Sequence, residues 1–133
     1  MQQTDSFFSI ILFRINGLEQ INEALGFSIG QKVIRHFAKF VESYLRISGD
    51  NSRYSEELIL TMLPNTKLGM AQILKEKLET SLKNYPPLIP EGFQKMSYSI
   101  SAGVAEASEE QKLDEVVKQA DSRMSVIGYF ELS

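Results

Sequence analysis

The chain has 133 residues, no cysteine, a single histidine and a formal net charge of −3. That length buries a hydrophobic core without cross-links, and the lack of cysteine excludes disulfide frameworks, thiolate metal sites and cysteine nucleophiles while fitting a reducing compartment. The lone His36 excludes histidine-clustered metal centres, and an acidic balance without clustered Lys and Arg argues against nucleic acid or an anionic membrane as partner.

Met1 to Asp5 lacks the basic and apolar segments of a secretory signal, so a cytoplasmic chain is expected. Phe7 to Ile15 is nearly continuous in its hydrophobicity and predicts a central strand; its apolar run, broken by Ser9, is far too short to cross a bilayer. Leu18, Ile21 and Leu25 recur at helical spacing, with Gly26 placed to end a short helix on a left-handed residue. Ile29, Val33, Ile34, Phe37, Val41, Tyr44 and Leu45 trace one face of a longer helix from Ser28 to about Ile47; Gln31, Lys32, Arg35, Lys39 and Glu42 form its wet face.

Ser48 to Ser52 reads as a turn, followed by a hairpin from Arg53 to Leu63. Asn65 or Thr66 is a candidate cap for a helix striped by Leu68, Ala71, Leu74, Leu78 and Leu82, which must stop before Pro86 in the irregular Pro86, Pro87 and Pro90 segment. Met96, Tyr98, Ile100, Ala102 and Val104 alternate with small polar residues and predict a strand with one face more buried. Ser108 and Gln111 suit a capping box before a helix carrying Leu113, Val116, Val117, Ala120 and Met124, and a last strand is expected over Ile127 to Leu132. The order β-α-α-β-β-α-β-α-β describes one α/β domain, residues 1–133, with one sheet, helices packed on it and one core.

Several segments carry a family resemblance. Leu12 to Asn22 (Leu-Phe-Arg-Ile-Asn-Gly-Leu-Glu-Gln-Ile-Asn) and the following Glu-Ala-Leu-Gly26-Phe-Ser-Ile-Gly30-Gln31 resemble the start of a GGDEF, or diguanylate cyclase, domain. Arg53-Tyr-Ser-Glu-Glu-Leu-Ile59 stands where that family reads Arg-Tyr-Gly-Gly-Asp-Glu-Phe, and Leu63-Pro-Asn-Thr66 continues it. Ser99-Ile-Ser-Ala-Gly-Val104 is similar to its Ser-x-Gly-Val strand, and Ala120-Asp121 to the Ala-Asp pair that begins its last helix. The resemblance spans roughly Phe7 to Val126 and implies a nucleotidyl-cyclase-like fold, related to palm and ferredoxin-like folds: a mainly antiparallel sheet of about five strands flanked by helices. The family's upstream segment is missing, which implies a domain within a longer signalling protein.

The same resemblance implies lost catalysis. The family's metal-binding and catalytic acids fall at Arg14, Glu57 and Leu58; the first carries the wrong sign for a metal ligand and the last has no polar atom, so Glu57 alone survives. Asn16, the second residue of Asp-x-Asp, and Ile59, the last of the signature, complete the degenerate positions. Ser55 and Glu56 replace the two signature glycines, adding a side chain and a negative charge where a triphosphate would lie. The phosphate-contacting Lys falls at about Gly128. Asn22 matches a guanine-contacting Asn, whereas Gln31 replaces an Asp, so nucleotide recognition is half present. Arg46 matches the product-inhibition site, but Gly49 stands at its Asp and Asp50 is one residue late.

The resemblance therefore implies a catalytically inactive regulatory domain in cyclic di-GMP signalling. It would act through neighbouring domains, a protein partner or a homodimer, with Mg²⁺ and GTP binding lost or weak and no cofactor. The alternative is a non-catalytic sensor that still binds GTP or cyclic di-GMP, and a third reading, an active cyclase, needs Glu56 or Glu57 in a shifted register. An Arg14–Glu57 salt bridge is expected where active relatives hold a metal. Against these stand plainer readings: Asn22 as a turn or cap residue, His36 as an ordinary side chain, Arg46 and Arg53 as structural charges, and Phe7, Phe8, Phe13, Phe37 and Phe40 as core.

Overall fold

The computed structural model describes residues 7–45, 49–85, 96–108 and 110–132. The elements follow the expected order: β1 (Phe7–Asn16), α1 (Leu18–Leu25), α2 (Phe27–Leu45), β2 (Asp50–Arg53), β3 (Leu58–Pro64), α3 (Leu68–Leu82), β4 (Met96–Ser108), α4 (Leu113–Ser122) and β5 (Ser125–Leu132). The five strands form one antiparallel sheet in the order β2-β3-β1-β4-β5. β1 is central because its apolar residues fall on both faces, and only a strand covered on both sides can bury all of them.

That two-sidedness corrects the expectation of one core. Ile11, Phe13 and Ile15 point to one face and pack with α1, α2 and α3 through Ile21, Val33, Phe37, Leu78 and Leu82. Ile10 and Leu12 point to the other and pack with Leu60, Ala105, Ala107 and the α4 residues Val116, Val117 and Ala120. Each buried Ile, Leu or Phe contributes about 1.5–3 kcal/mol on transfer from water. Gly103 lets α4 sit directly on β4, since a side chain there would overlap the Ala120 carbonyl oxygen. Of the aromatics expected in the core, Phe13, Phe37 and Phe40 are buried, the first two rings meeting edge to face at 5.4 Å, and Phe8 packs partly buried against the α4-side cluster. Phe7 lies in neither cluster, half-buried under the Lys67 ammonium at 4.1 Å from its ring. His36 is half-buried, its ring 4.7 Å from that of Tyr85. Tyr98 is buried in β4 against Phe130, and burial, followed by the nearby Tyr85, pushes its phenol up to about 12.

Several boundaries differ from the expected ones for local physical reasons. β2 begins at Asp50, inside the stretch expected to be a turn, because Asp50 to Arg53 find a ladder partner in β3. Neither Asn65 nor Thr66 caps α3. Asn65 takes φ 52° in the turn, and the Leu68 N–H that opens α3 donates to Glu106 Oε1 at 2.6 Å instead. Gln111 Oε1 does accept from the Ser108 N–H at 3.3 Å, but the helix starts at Leu113, where Glu115 Oε1 accepts the Lys112 N–H at 3.1 Å. β4 runs on to Ser108 with both faces covered beyond Ser101, and β5 starts at Ser125. Gly26 ends α1 at φ 97°, a conformation that costs glycine little, with its N–H on the Asn22 carbonyl at 3.0 Å. The expected extension of α2 to Ile47 and the Pro86, Pro87 and Pro90 segment lie outside the described residues.

Candidate functional site

Residues of β1 alternate, so Arg14 and Asn16 continue the row of Ile10 and Leu12 on the face covered by α4. Its apolar part is roofed by Val116, Val117 and Ala120. Beyond it the row turns polar: Arg14 is flanked in register by Leu58 on one side and Ser101 on the other, and Asn16 by Ser99. Asn16 Nδ2 donates to Ser99 Oγ at 3.1 Å and to Ser101 Oγ at 2.8 Å, which consumes it in the sheet.

Arg14 is the hub. Its Nη2 donates to Asp121 Oδ1 at 2.7 Å, and its Nη1 lies 3.6 Å from Glu57 Oε1. The ion pair expected with Glu57 is therefore formed, but it is the longer of two. The tighter partner, Asp121, was not among the expected site residues. Ala120-Asp121 also does not begin the last helix: it lies at the end of α4, which stops at Ser122 and passes into β5. The guanidinium is 30 % exposed and its carboxylate partners are 49 % and 48 % exposed, so each pair is a surface interaction of about 0.2–1 kcal/mol.

The signature turn is held from two sides. The Arg53 side chain, on the opposite face, donates to the Ser55 and Glu56 carbonyls at 3.1 and 2.7 Å and to Gln31 Oε1 at 3.2 Å. Arg53 is thus a structural charge, and Gln31 is joined to the turn through it. On the α4 side, the Tyr54 hydroxyl donates to Asp114 Oδ1 at 3.0 Å, a contact that raises the phenol's pKa. The Ile15 N–H donates to the Glu57 carbonyl at 2.9 Å, fixing the turn to β1. Ser55 and Glu56 are exposed, while Ile59 is buried in the core facing α2.

Asn22 stands apart, where α1 meets α2. Its Oδ1 is buried, has no hydrogen-bond partner among the described residues, and lies against Gly30, where any side chain would overlap it. The carboxamide oxygen therefore caps nothing. Gly128 lies in β5, where a side chain would meet Leu82 Cδ2 at 3.0 Å, so this position faces the core opposite Arg14 and presents no cation to the site. Asp50 is exposed at the far end of β2 from the turn, and Arg46 lies outside the described residues.

The donor set does not suit a magnesium ion. Octahedral Mg²⁺ takes carboxylates and waters, and here the two carboxylates are bridged by a fixed positive charge. Among the described residues, no group of three or more His, Asp or Glu is placed to hold a metal.

An antiparallel five-stranded sheet in this order, with a hairpin turn beside the charged end of its central strand, is the nucleotidyl-cyclase-like fold. The family model described as "Diguanylate cyclase, GGDEF domain" matches residues 1–128, and the chain belongs to the GGDEF family. It is 30 % identical over 114 residues to the response regulator PleD of Caulobacter vibrioides, covering 85 % of this chain and 25 % of that protein. It is 26 % identical over 117 residues to diguanylate cyclase A of Treponema denticola, covering 87 % and 31 %. The chain thus spans only about a quarter to a third of these relatives. The crystal structure of the diguanylate cyclase SiaD from Pseudomonas aeruginosa in complex with its activator SiaC superposes with a TM-score of 0.73 at 25 % identity, over 88 % of this chain and 44 % of that one. The GGDEF domain of DgcB from Caulobacter crescentus, in complex with c-di-GMP, gives 0.72 at 18 % identity over 88 % and 69 %, a likeness of fold.

Proposed function

We propose that this GGDEF domain is a non-catalytic regulatory module of cyclic di-GMP signalling, working through protein contacts within a longer cytoplasmic protein. The observation that carries this reading is the Arg14 guanidinium set between Glu57 and Asp121. Joining two GTP molecules with loss of pyrophosphate requires divalent cations to neutralise the triphosphates and the leaving group. A guanidinium in place of the first metal-binding carboxylate supplies one positive charge but cannot coordinate a cation, and Leu58 beside it offers neither a lone pair nor a proton. Glu56 adds negative charge to the turn. The Arg53 and Tyr54 contacts hold that turn against α2 and α4, as suits a scaffold. SiaD is described in complex with an activator, which supports protein contact as a mode of action for this fold.

One observation favours a second reading. An amide oxygen buried without a partner costs about 1–3 kcal/mol, and among the described residues Asn22 Oδ1 is such an atom, at the guanine-contacting position of the family. A domain that binds a guanine nucleotide without turning it over would give that atom a use once the Asn22 side chain turned it outward from its seat against Gly30.

Calorimetric titration with GTP plus Mg²⁺, and separately with cyclic di-GMP, tests both readings alongside chromatographic detection of cyclic di-GMP after incubation with GTP. Absence of product and of binding heat is expected from the scaffold. Saturable heat abolished by Asn22→Ala moves the sensor to first place, and product formation overturns the non-catalytic reading.

A further inference from the structure

Edge strand β2 and helix α2 enclose a cleft of about 280 Å³. Its floor is apolar, built from Ile34 and Ala38 of α2 and Ile59 of β3. β2 ends the sheet, and among the described residues no strand pairs with its outer side. The Tyr54 N–H donates to the Leu58 carbonyl at 2.9 Å, so 54 and 58 form a hydrogen-bonded pair. Alternation along an antiparallel ladder then makes 52/60 and 50/62 the bonded pairs, and Asn51 and Arg53 turn their backbone N–H and C=O groups outward. Both residues line the cleft.

An extended segment laid along this edge would find two residues' worth of backbone groups that are unpaired among the described residues, and every second side chain would face the apolar floor. The rim supplies charge. The Arg53 side chain is consumed by the signature turn and Gln31, but Arg35 and Glu42 are exposed and unpaired among the described residues. They lie seven residues apart on α2, about 10.5 Å along the helix axis. Three alternate residues of a strand span about 13 Å, a difference within reach of long Arg and Glu side chains.

We propose that this groove is a strand-addition site for an extended peptide segment of a partner protein, which carries an acidic, an apolar and a basic residue at alternate positions. The acid meets Arg35, the apolar side chain fills the floor and the base meets Glu42. Unpaired backbone supplies affinity, and the opposed rim charges fix direction. The inference rests on the protein-contact reading above for its purpose and names the surface and chemistry of that contact.

The test is an amide-resolved NMR titration of the 133-residue chain with the capped peptides Glu-Thr-Val-Thr-Lys and Lys-Thr-Val-Thr-Glu. One of the two is expected to shift the Asn51 and Arg53 amides saturably. Backbone N-methylation of one alternating set of peptide residues should abolish the shifts, and methylation of the other set should leave them. The double variant R35E/E42R, at two exposed positions, should exchange the preferred peptide, with a change on the order of 10-fold in relative affinity. Silence of those amides at millimolar peptide, or a preference unchanged by the double variant, overturns the proposal. No nucleotide is present, so silent peptides count against the groove alone and cyclase turnover against the non-catalytic reading alone.

Discussion

Replacing Arg14 by Asp inverts the charge at the hub of the site and should convert a salt-bridged corner into a cation-binding one. The wild-type guanidinium makes one hydrogen-bonded pair at 2.7 Å and one looser pair at 3.6 Å, both partly exposed. Their loss costs about 1 kcal/mol together, and setting a third carboxylate beside Glu57 and Asp121 adds repulsion of similar size. The total is about 1–2.5 kcal/mol, a fall in Tm of roughly 3–10 °C for a domain of this length. A divalent ion binding the new acid cluster with Kd near 1 mM would return about 1.4 kcal/mol at about 10 mM. Thermal unfolding followed by circular dichroism, for wild type and Arg14→Asp in EDTA and in MgCl₂ at matched ionic strength, reads both effects. The variant should melt lower in EDTA and regain most of the loss with Mg²⁺, while the wild type stays unmoved. Equal melting of the two proteins in EDTA, or an equal Mg²⁺ response in both, would refute the assignment of Arg14 as the internal cation.

Asn22→Ala removes the orphaned oxygen and should leave the domain as stable or up to about 1 kcal/mol more stable, whereas Gly30→Ala forces a methyl against that oxygen and should cost about 1–2 kcal/mol. The double variant, compared by urea unfolding, should recover most of the Gly30→Ala loss; strict additivity would contradict the packing described. Gly103→Ala should cost about 1–3 kcal/mol or more, because the added methyl meets backbone of α4, and a loss below 0.5 kcal/mol (roughly the scatter of surface substitutions) would mean that α4 is not seated on that glycine. Tyr98 has its folded pKa raised to about 12 from 10.0, so its contribution is fully present below pH 10.0 and is lost as pH climbs towards 12. Alkaline titration of stability should show a drop of about 2–3 kcal/mol across that window, diminished in Tyr98→Phe.

Much of the fold was legible because its strongest signals are local. The continuous run of β1, the apolar stripe of α2 and the alternation opening β4 each follow from one element's own period, and their order matched the family. The errors fell where a distant residue decides. The α3 start is satisfied by Glu106, 38 residues away, so the cap-forming residue types Asn65 and Thr66 just before the helix carry no sign of the group that satisfies it. Asp121 binds Arg14 across 107 residues, and a single acid after an apolar stripe gives no sign of that. A sequence position can announce a missing carboxylate, as Arg14 does. It cannot announce which of the chain's 17 acidic residues takes the vacated partner's place. Arg53 is similar: its role as clamp of the signature turn depends on a hairpin conformation, not on its spacing from any motif.

The central position of β1 also sets a timetable for folding. Its Asn16 pairs with Ser99, 83 residues further along, and β3 supplies its other neighbour earlier in the chain. At translation rates of 5–20 residues per second, β1 leaves the ribosome roughly 4–17 s before β4 exists to cover its second edge. In that interval Phe7 to Ile15 is an apolar strand with an open side, the kind of segment that pairs with another nascent chain if nothing shields it. Placing the stickiest strand in the middle of the sheet makes the finished domain secure and its synthesis the hazardous stage, so that yield in the cell should depend more on chaperone capacity and growth temperature than on the equilibrium stability of the folded chain.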